Sequence, residues 1–106
     1  MRIAKLSDMT RGWFVGDFEP SIYRTKKFEV GILSHKKDEV WPAHIHKVAT
    51  EINVLISGKM QIQNTIIEPG TVFMLEPYEV GDPIFLEDCT VVTVKTPSVI
   101  GDKYNV

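Results

Sequence analysis

His44, His46 and Glu51 are three residues of metal-ligating type inside one apolar, strand-forming run, residues 42 to 58. Side chains at i and i+2 of a β-strand project to the same face, so His44 and His46 can offer their imidazoles to one point; on a helix they would diverge. Glu51 adds a carboxylate oxygen. The interval from His46 to Glu51 is odd, so on one unbroken strand Glu51 would face away from both histidines. The chain must therefore turn over Lys47 to Thr50, leaving Glu51 at the start of a second strand. Two histidines and one carboxylate suffice for metal binding, because three ligands with open positions are the arrangement of non-haem iron sites and, with water, of catalytic zinc.

The elements that must position these groups are short strands. Met1 to Leu6 reads as a short strand, and the rest of residues 1 to 27 is aperiodic, with Trp13, Phe14, Phe18 and Tyr23 scattered among Gly12, Gly16 and Pro20. From Phe28 the pattern is β. Phe28 to Leu33, Val40 to His46, Thr50 to Ile56, Met60 to Gln63, Thr65 to Ile67, Val72 to Leu75, Ile84 to Leu86 and Thr90 to Thr96 read as strands, separated by turn residues. Ser57-Gly58-Lys59 and Asn64 mark hairpins, and Glu68-Pro69-Gly70-Thr71 has the order of a type II turn, with glycine where positive φ is required. No 3.6-residue period persists. This is an all-β sandwich or barrel.

On the strand from Thr50, alternation puts Glu51, Asn53, Leu55 and Ser57 on one side and Ile52, Val54 and Ile56 on the other. With Glu51 turned into a pocket, the aliphatic row points outward, and an apolar row of that kind calls for a cover: the N-terminal arm, or a second subunit in a homodimer. The alternative packing makes the aliphatic row the core and sets Glu51 at a solvated rim. Asn53 is a candidate pocket contact, and Lys95 reaches the pocket if it shares the face of Thr93. Cys89 reads as a packed residue with no positive neighbour to activate it, Trp13 and Trp41 as packing residues, and His35 as a surface residue.

The chain of 106 residues is a single domain, long enough to bury roughly two thirds of its unfolded surface, and 43% of its residues are hydrophobic. Its formal charge of −2 carries no basic stripe for nucleic acid and no polybasic anchor for a membrane. The lone Cys89 excludes an intrachain disulfide, and neither a signal peptide nor a run of about 18 apolar residues is present. The expectation is a cytoplasmic protein with a small-molecule ligand or substrate.

The spacing His44-x-His46-x4-Glu51-x6-Gly58 resembles the first motif of the cupin superfamily, and Pro42 before the first histidine is also typical of it. The resemblance covers about residues 28 to 97. It implies a double-stranded β-helix, or jelly-roll cupin barrel, over residues 28–106 behind an N-terminal arm of residues 1–27, with one divalent transition metal on His44, His46 and Glu51. Cupins usually add a histidine from a second motif, whose framework here is Pro69-Gly70, Val72 to Leu75 and Pro77. That histidine is missing: alignment from Gly70 puts its position at Gly81, alignment from Pro77 at Asp82. Asp82, or alternatively Glu79, could supply the fourth ligand, giving two nitrogens and two oxygens, a set that leans toward zinc, iron or manganese over copper. Asp38 replaces a usual glycine, which a left-handed turn tolerates.

What the resemblance implies functionally is a small metal-binding cupin, of oxygenase, isomerase or lyase type, acting on a small polar or anionic substrate. Two other readings stand beside it. One is a non-catalytic ligand-binding, accessory or dimerisation module. The other is a metal-free relative of sugar-nucleotide epimerases, with His44 or His46 as a base paired to Glu51 or Asp82.

Overall fold

The computed structural model describes the whole chain, Met1–Val106. Its eleven strands are β1 (Trp13–Gly16), β2 (Tyr23–Arg24), β3 (Glu29–His35), β4 (His44–Ile45), β5 (Thr50–Ser57), β6 (Met60–Ile62), β7 (Thr65–Ile67), β8 (Val72–Leu75), β9 (Ile84–Phe85), β10 (Cys89–Thr96) and β11 (Tyr104–Asn105). Six of them form one sheet in the order β2-β1-β3-β10-β5-β8, and it is faced by a three-stranded sheet, β7-β6-β9, and a two-stranded one, β11-β4. Leu55, Leu75 and Val91 from the large sheet pack against Met60, Ile62, Ile67 and Phe85 from the small one, so the core lies between two layers. This is a double-stranded β-helix.

Local turn chemistry sets most strand ends. Gln63 and Asn64 both take left-handed backbone, φ 49° and 58°, and close the two-residue loop between β6 and β7. Gly70 has φ +87° and the Thr71 N–H donates to the Glu68 carbonyl at 3.1 Å, the type II turn expected before β8. Asp38 is left-handed as well, with φ 63°.

The faces of the central strands fall as alternation requires. Asn53 and Leu55 of β5 are buried, as are Val91 and Thr93 of β10, while Ile52 and Ile56 remain 37% and 54% exposed. Cross-strand pairing then lines up Ile32, Val92, Val54 and Val72 in one outward row and Val30, Val94, Ile52 and Met74 in the next.

Three segments differ from expectation. Met1 to Leu6 forms no strand and leads instead into a short 3-10 turn, Leu6–Asp8. The strand expected from Val40 shrinks to His44–Ile45, because Pro42 offers no N–H to a ladder. The N-terminal arm does not cover the aliphatic row. Part of it, β1, joins the large sheet beside β3, pairing Trp13 with Gly31 and Val15 with Val30. Gly31 makes this possible: a Cβ there would stand 2.8 Å from the Trp13 ring.

Candidate functional site

The strand-turn-strand that carries the histidines is held from the far end of the chain. Asp102, 6% exposed, turns its carboxylate onto the bend after β4. Its Oδ1 accepts the Lys47 N–H at 2.9 Å, and its Oδ2 accepts the N–H groups of Val48 at 3.1 Å and Ala49 at 2.9 Å. Burial alone would push the Asp102 carboxyl up; these three amides outweigh it and hold the group below its usual range. Just beyond, β11 pairs with β4, placing Tyr104 opposite Ile45 and Asn105 opposite His44. The expected turn is therefore present, with a clamp that sequence reasoning missed. A two-residue strand has no periodicity to read, and an aspartate near the end of the chain gives no sign of a partner more than fifty residues away.

The same clamp sets the state of the imidazoles. His46 Nδ1 bonds to the backbone carbonyl of Asp102, and His44 Nδ1 to that of Pro42 at 3.0 Å. A carbonyl oxygen only accepts, so in both rings Nδ1 carries a proton, and the neutral form of each is the tautomer whose lone pair is on Nε2. His46 is buried and its Nε2 has no partner. Burial lowers the pKa of His44, which favours its neutral ring. The two rings meet edge to face with centroids 5.5 Å apart. An orphaned, buried Nε2 beside a second one of the same tautomer suits a metal ion, since ligating histidines characteristically donate the other ring N–H to a carbonyl or carboxylate.

Glu51 opens on the same cavity from β5, opposite Lys95 of β10 and Leu75 of β8. The side chains as they stand do not close a complete shell: no three His, Cys, Asp or Glu groups converge on one point. Nor does the structure bring Asp82 or Glu79 to the histidines. Both are exposed; Asp82 accepts the Gln63 N–H at 2.8 Å and Glu79 the Glu76 N–H at 2.7 Å. The residue that faces His44 is Gly81. The two exchange backbone hydrogen bonds of 3.0 and 2.8 Å, and a Cβ on Gly81 would lie 3.4 Å from His44 Nε2. Of the two alignments, the one from Gly70 matches this geometry.

The cavity behind these groups has a volume of about 790 Å³ and an apolar floor that includes Met60, Ile62, Phe73 and Phe85. Asn53 and Lys95, both anticipated as pocket contacts, line it. Asn53 is buried and its Oδ1 accepts the Thr93 hydroxyl at 2.8 Å, which leaves the amide NH₂ without a protein acceptor. Lys95 lies 3.8 Å from Glu29 and 5.0 Å from the centre of the Trp13 ring.

His35 corrects the surface assignment. It also lines the cavity, stacked on Phe85 at 4.2 Å, with Nδ1 2.6 Å from Glu39. Trp41 Nε1 donates to the same carboxylate at 2.6 Å, so hydrogen bonds from His35 and then Trp41 hold Glu39 below its usual pKa. Trp13 and Trp41 are more than packing, since each carries a lysine over its face within the cavity wall. Cys89 is packed as expected, its thiol pKa raised by burial. Arg11 and Lys103 were not anticipated as lining residues. Only the folding of the two chain ends over the barrel mouth puts them there.

The chain has a double-stranded β-helix fold, which it shares with cupin proteins of known structure. It is similar to a double-stranded β-helix domain protein from Klebsiella pneumoniae at 18% identity, covering 94% of this chain and 88% of that one with a TM-score of 0.68. A cupin protein from Bacteroides fragilis matches at 19% identity over 76% and 75% of the two chains, TM-score 0.58. An ectoine synthase from P. lautus matches at 15% identity over 100% and 90%, TM-score 0.67. No family model matches the sequence, and no curated relative does. No helix is long and apolar enough to cross a membrane.

Proposed function

We propose that the protein is a small metal-binding cupin that holds one divalent transition metal, zinc, iron or manganese, on His44, His46 and Glu51 and acts on a small polar or anionic molecule in the cavity beside them. The observation that carries this reading is the matched tautomer of the two histidines, with the buried His46 Nε2 left unpartnered. When bound, the ion would supply a Lewis acid able to polarise a carbonyl or activate water. The chain's own contribution is orientation and exclusion of water. Asp102 and Pro42 fix the two rings, the apolar floor keeps solvent from the site, and the amide of Asn53 offers a donor to the bound molecule. Glu51 is the carboxylate on the same wall.

A second reading is a ligand-binding cupin without metal, catalytic or not. It is supported by Gly81, which leaves the place opposite His44 without a side chain. Elemental analysis and titration with Zn²⁺, Mn²⁺ and Fe²⁺ separate the two. About one equivalent of bound metal, abolished in His46→Ala, supports the first. A folded protein that takes up none of the three and is not stabilised by them removes it; a site filled to 100 times its Kd would stabilise the fold by about 2.7 kcal/mol.

A further inference from the structure

The mouth of the cavity carries a cluster of cations in a chain whose formal charge is −2. Arg11, Lys95 and Lys103 all line it, brought together from the N-terminal arm, from β10 and from the segment leading into β11. Of the three, Lys95 has a carboxylate partner, Glu29 at 3.8 Å. Arg11 and Lys103 have none within 4.0 Å. The two cavity carboxylates do not balance them one for one, because Glu39 is already engaged by His35 and Trp41.

The cluster is built rather than incidental. Arg11 sits in left-handed backbone at φ 51°, followed by Gly12 at +87°, in a tight turn closed by the Trp13 N–H donating to the Thr10 carbonyl at 3.0 Å. A non-glycine residue held at positive φ costs free energy that the surroundings must offset. Here Gly12 supplies the lock: its carbonyl accepts the Ile32 N–H at 3.0 Å, and a Cβ on it would collide with the Ile32 carbonyl at 2.0 Å. The turn is thus pinned to β3 with Arg11 at the cavity rim. Lys103 follows the buried Asp102 clamp directly and lies with its Nζ 4.1 Å above the Trp41 ring. Partial burial and the nearby charges of Lys95 and Arg11 hold its ammonium below the usual range. An anion placed among the three would relieve that repulsion.

We infer that the cavity takes an amphipathic organic anion, its acidic group at the Arg11–Lys95–Lys103 rim and its apolar body on the floor beneath Trp41, Phe73 and Phe85. The assignment deepens the proposed function by naming its ligand class and rests on the same cavity, yet it asks nothing of the metal. The apolar floor excludes a fully polar anion as the best fit, since such a ligand would lose hydration there without compensation. The cationic rim disfavours a neutral hydrocarbon of the same shape.

The test is calorimetric titration of phenylacetate and its neutral counterpart phenylacetamide into protein stripped of metal and, separately, into protein loaded with Zn²⁺. The acid should bind at least about tenfold more tightly than the amide in both forms and weaken as salt is raised. Lys103→Met keeps the stem over Trp41 without the charge, and Arg11→Asn keeps a residue that tolerates the left-handed turn. Each should lose about tenfold for the acid and leave the amide unchanged. Equal affinity for acid and amide, undiminished acid binding in both variants, or no binding of either probe would overturn the assignment. Acid that binds only the zinc-loaded form would overturn it too, by placing the anion on the metal. Failure of zinc to bind at all touches the metal reading alone.

Discussion

His46 donates its Nδ1 proton to the backbone carbonyl of Asp102, while the side chain of the same aspartate holds the turn that follows His46. One residue therefore orients the ring and fixes the bend that brings Glu51 round. Asp102→Ala removes a buried acceptor that serves three N–H groups of the turn and should destabilise the fold by about 2–4 kcal/mol in urea unfolding. Asp102→Asn keeps one oxygen and should cost about half as much. A loss below about 0.5 kcal/mol for the alanine variant would show that the clamp is not what holds the turn.

Acid should loosen this arrangement in a defined window. Asp102 and Glu39 both have pKa values lowered by folding, from ordinary values of 3.8 and 4.5. Between the folded and unfolded values the unfolded chain binds more protons, so stability rises with pH there. Their contribution is fully present above about pH 4.5 and is lost as pH falls through the folded values. Urea midpoints measured from pH 6 down to pH 2 should fall most steeply below 4.5, and Glu39→Gln should flatten the upper part of that fall. An unchanged profile in Glu39→Gln would remove Glu39 from the account.

Gly81 offers a constructive test of the metal reading. It faces His44 from the position that alignment from Gly70 assigns to the missing histidine, its φ is not left-handed, and a Cβ there meets its neighbours at 3.4 Å or more. Gly81→Ala should therefore change stability by less than about 1 kcal/mol. Gly81→His adds an imidazole next to the existing pair and should tighten Zn²⁺ binding by at least about tenfold, equivalent to about 1.4 kcal/mol. Zinc affinity left unchanged by a folded Gly81→His protein would place the ion away from His44.

The parts of the molecule legible in the sequence are those governed by local chemistry. β7 and β8 fall where Asn64 and Pro69-Gly70 punctuate the chain, and the inward face of β5 follows from strict alternation through Glu51, Asn53 and Leu55. The bend between His46 and Glu51 follows from parity alone. What stayed hidden depends on contacts between distant segments. The partner of His46 is a backbone carbonyl, which no residue type announces, and Asp102 gains meaning only when β11 returns to β4. His35 ends a strand and so reads as exposed, yet Phe85 of the opposite layer stacks over it. Arg11 and Lys103 reach the cavity from the two chain ends, where the pattern is weakest.

The outward face of the large sheet carries the remaining expectation, a homodimer. Two cross-strand rows, running from Ile32 to Val72 and from Val30 to Met74, give four adjacent strands a continuous apolar surface. The N-terminal arm extends one end of the sheet as β2 and β1 and leaves this surface uncovered, with Val72 68% and Met74 51% exposed. An apolar surface spanning four strands would be unusual on a monomer, and a second copy turned by a twofold axis would bury the same rows on both sides. Light scattering should give twice the chain mass of 12.0 kDa for the native protein. Ile52→Lys and Met74→Lys, both at exposed positions, should return it to the single-chain mass without unfolding it. A native protein already at the single-chain mass at about 100 μM would leave the face bare and remove the dimer, because an interface of roughly 800 Å² per partner should hold at that concentration.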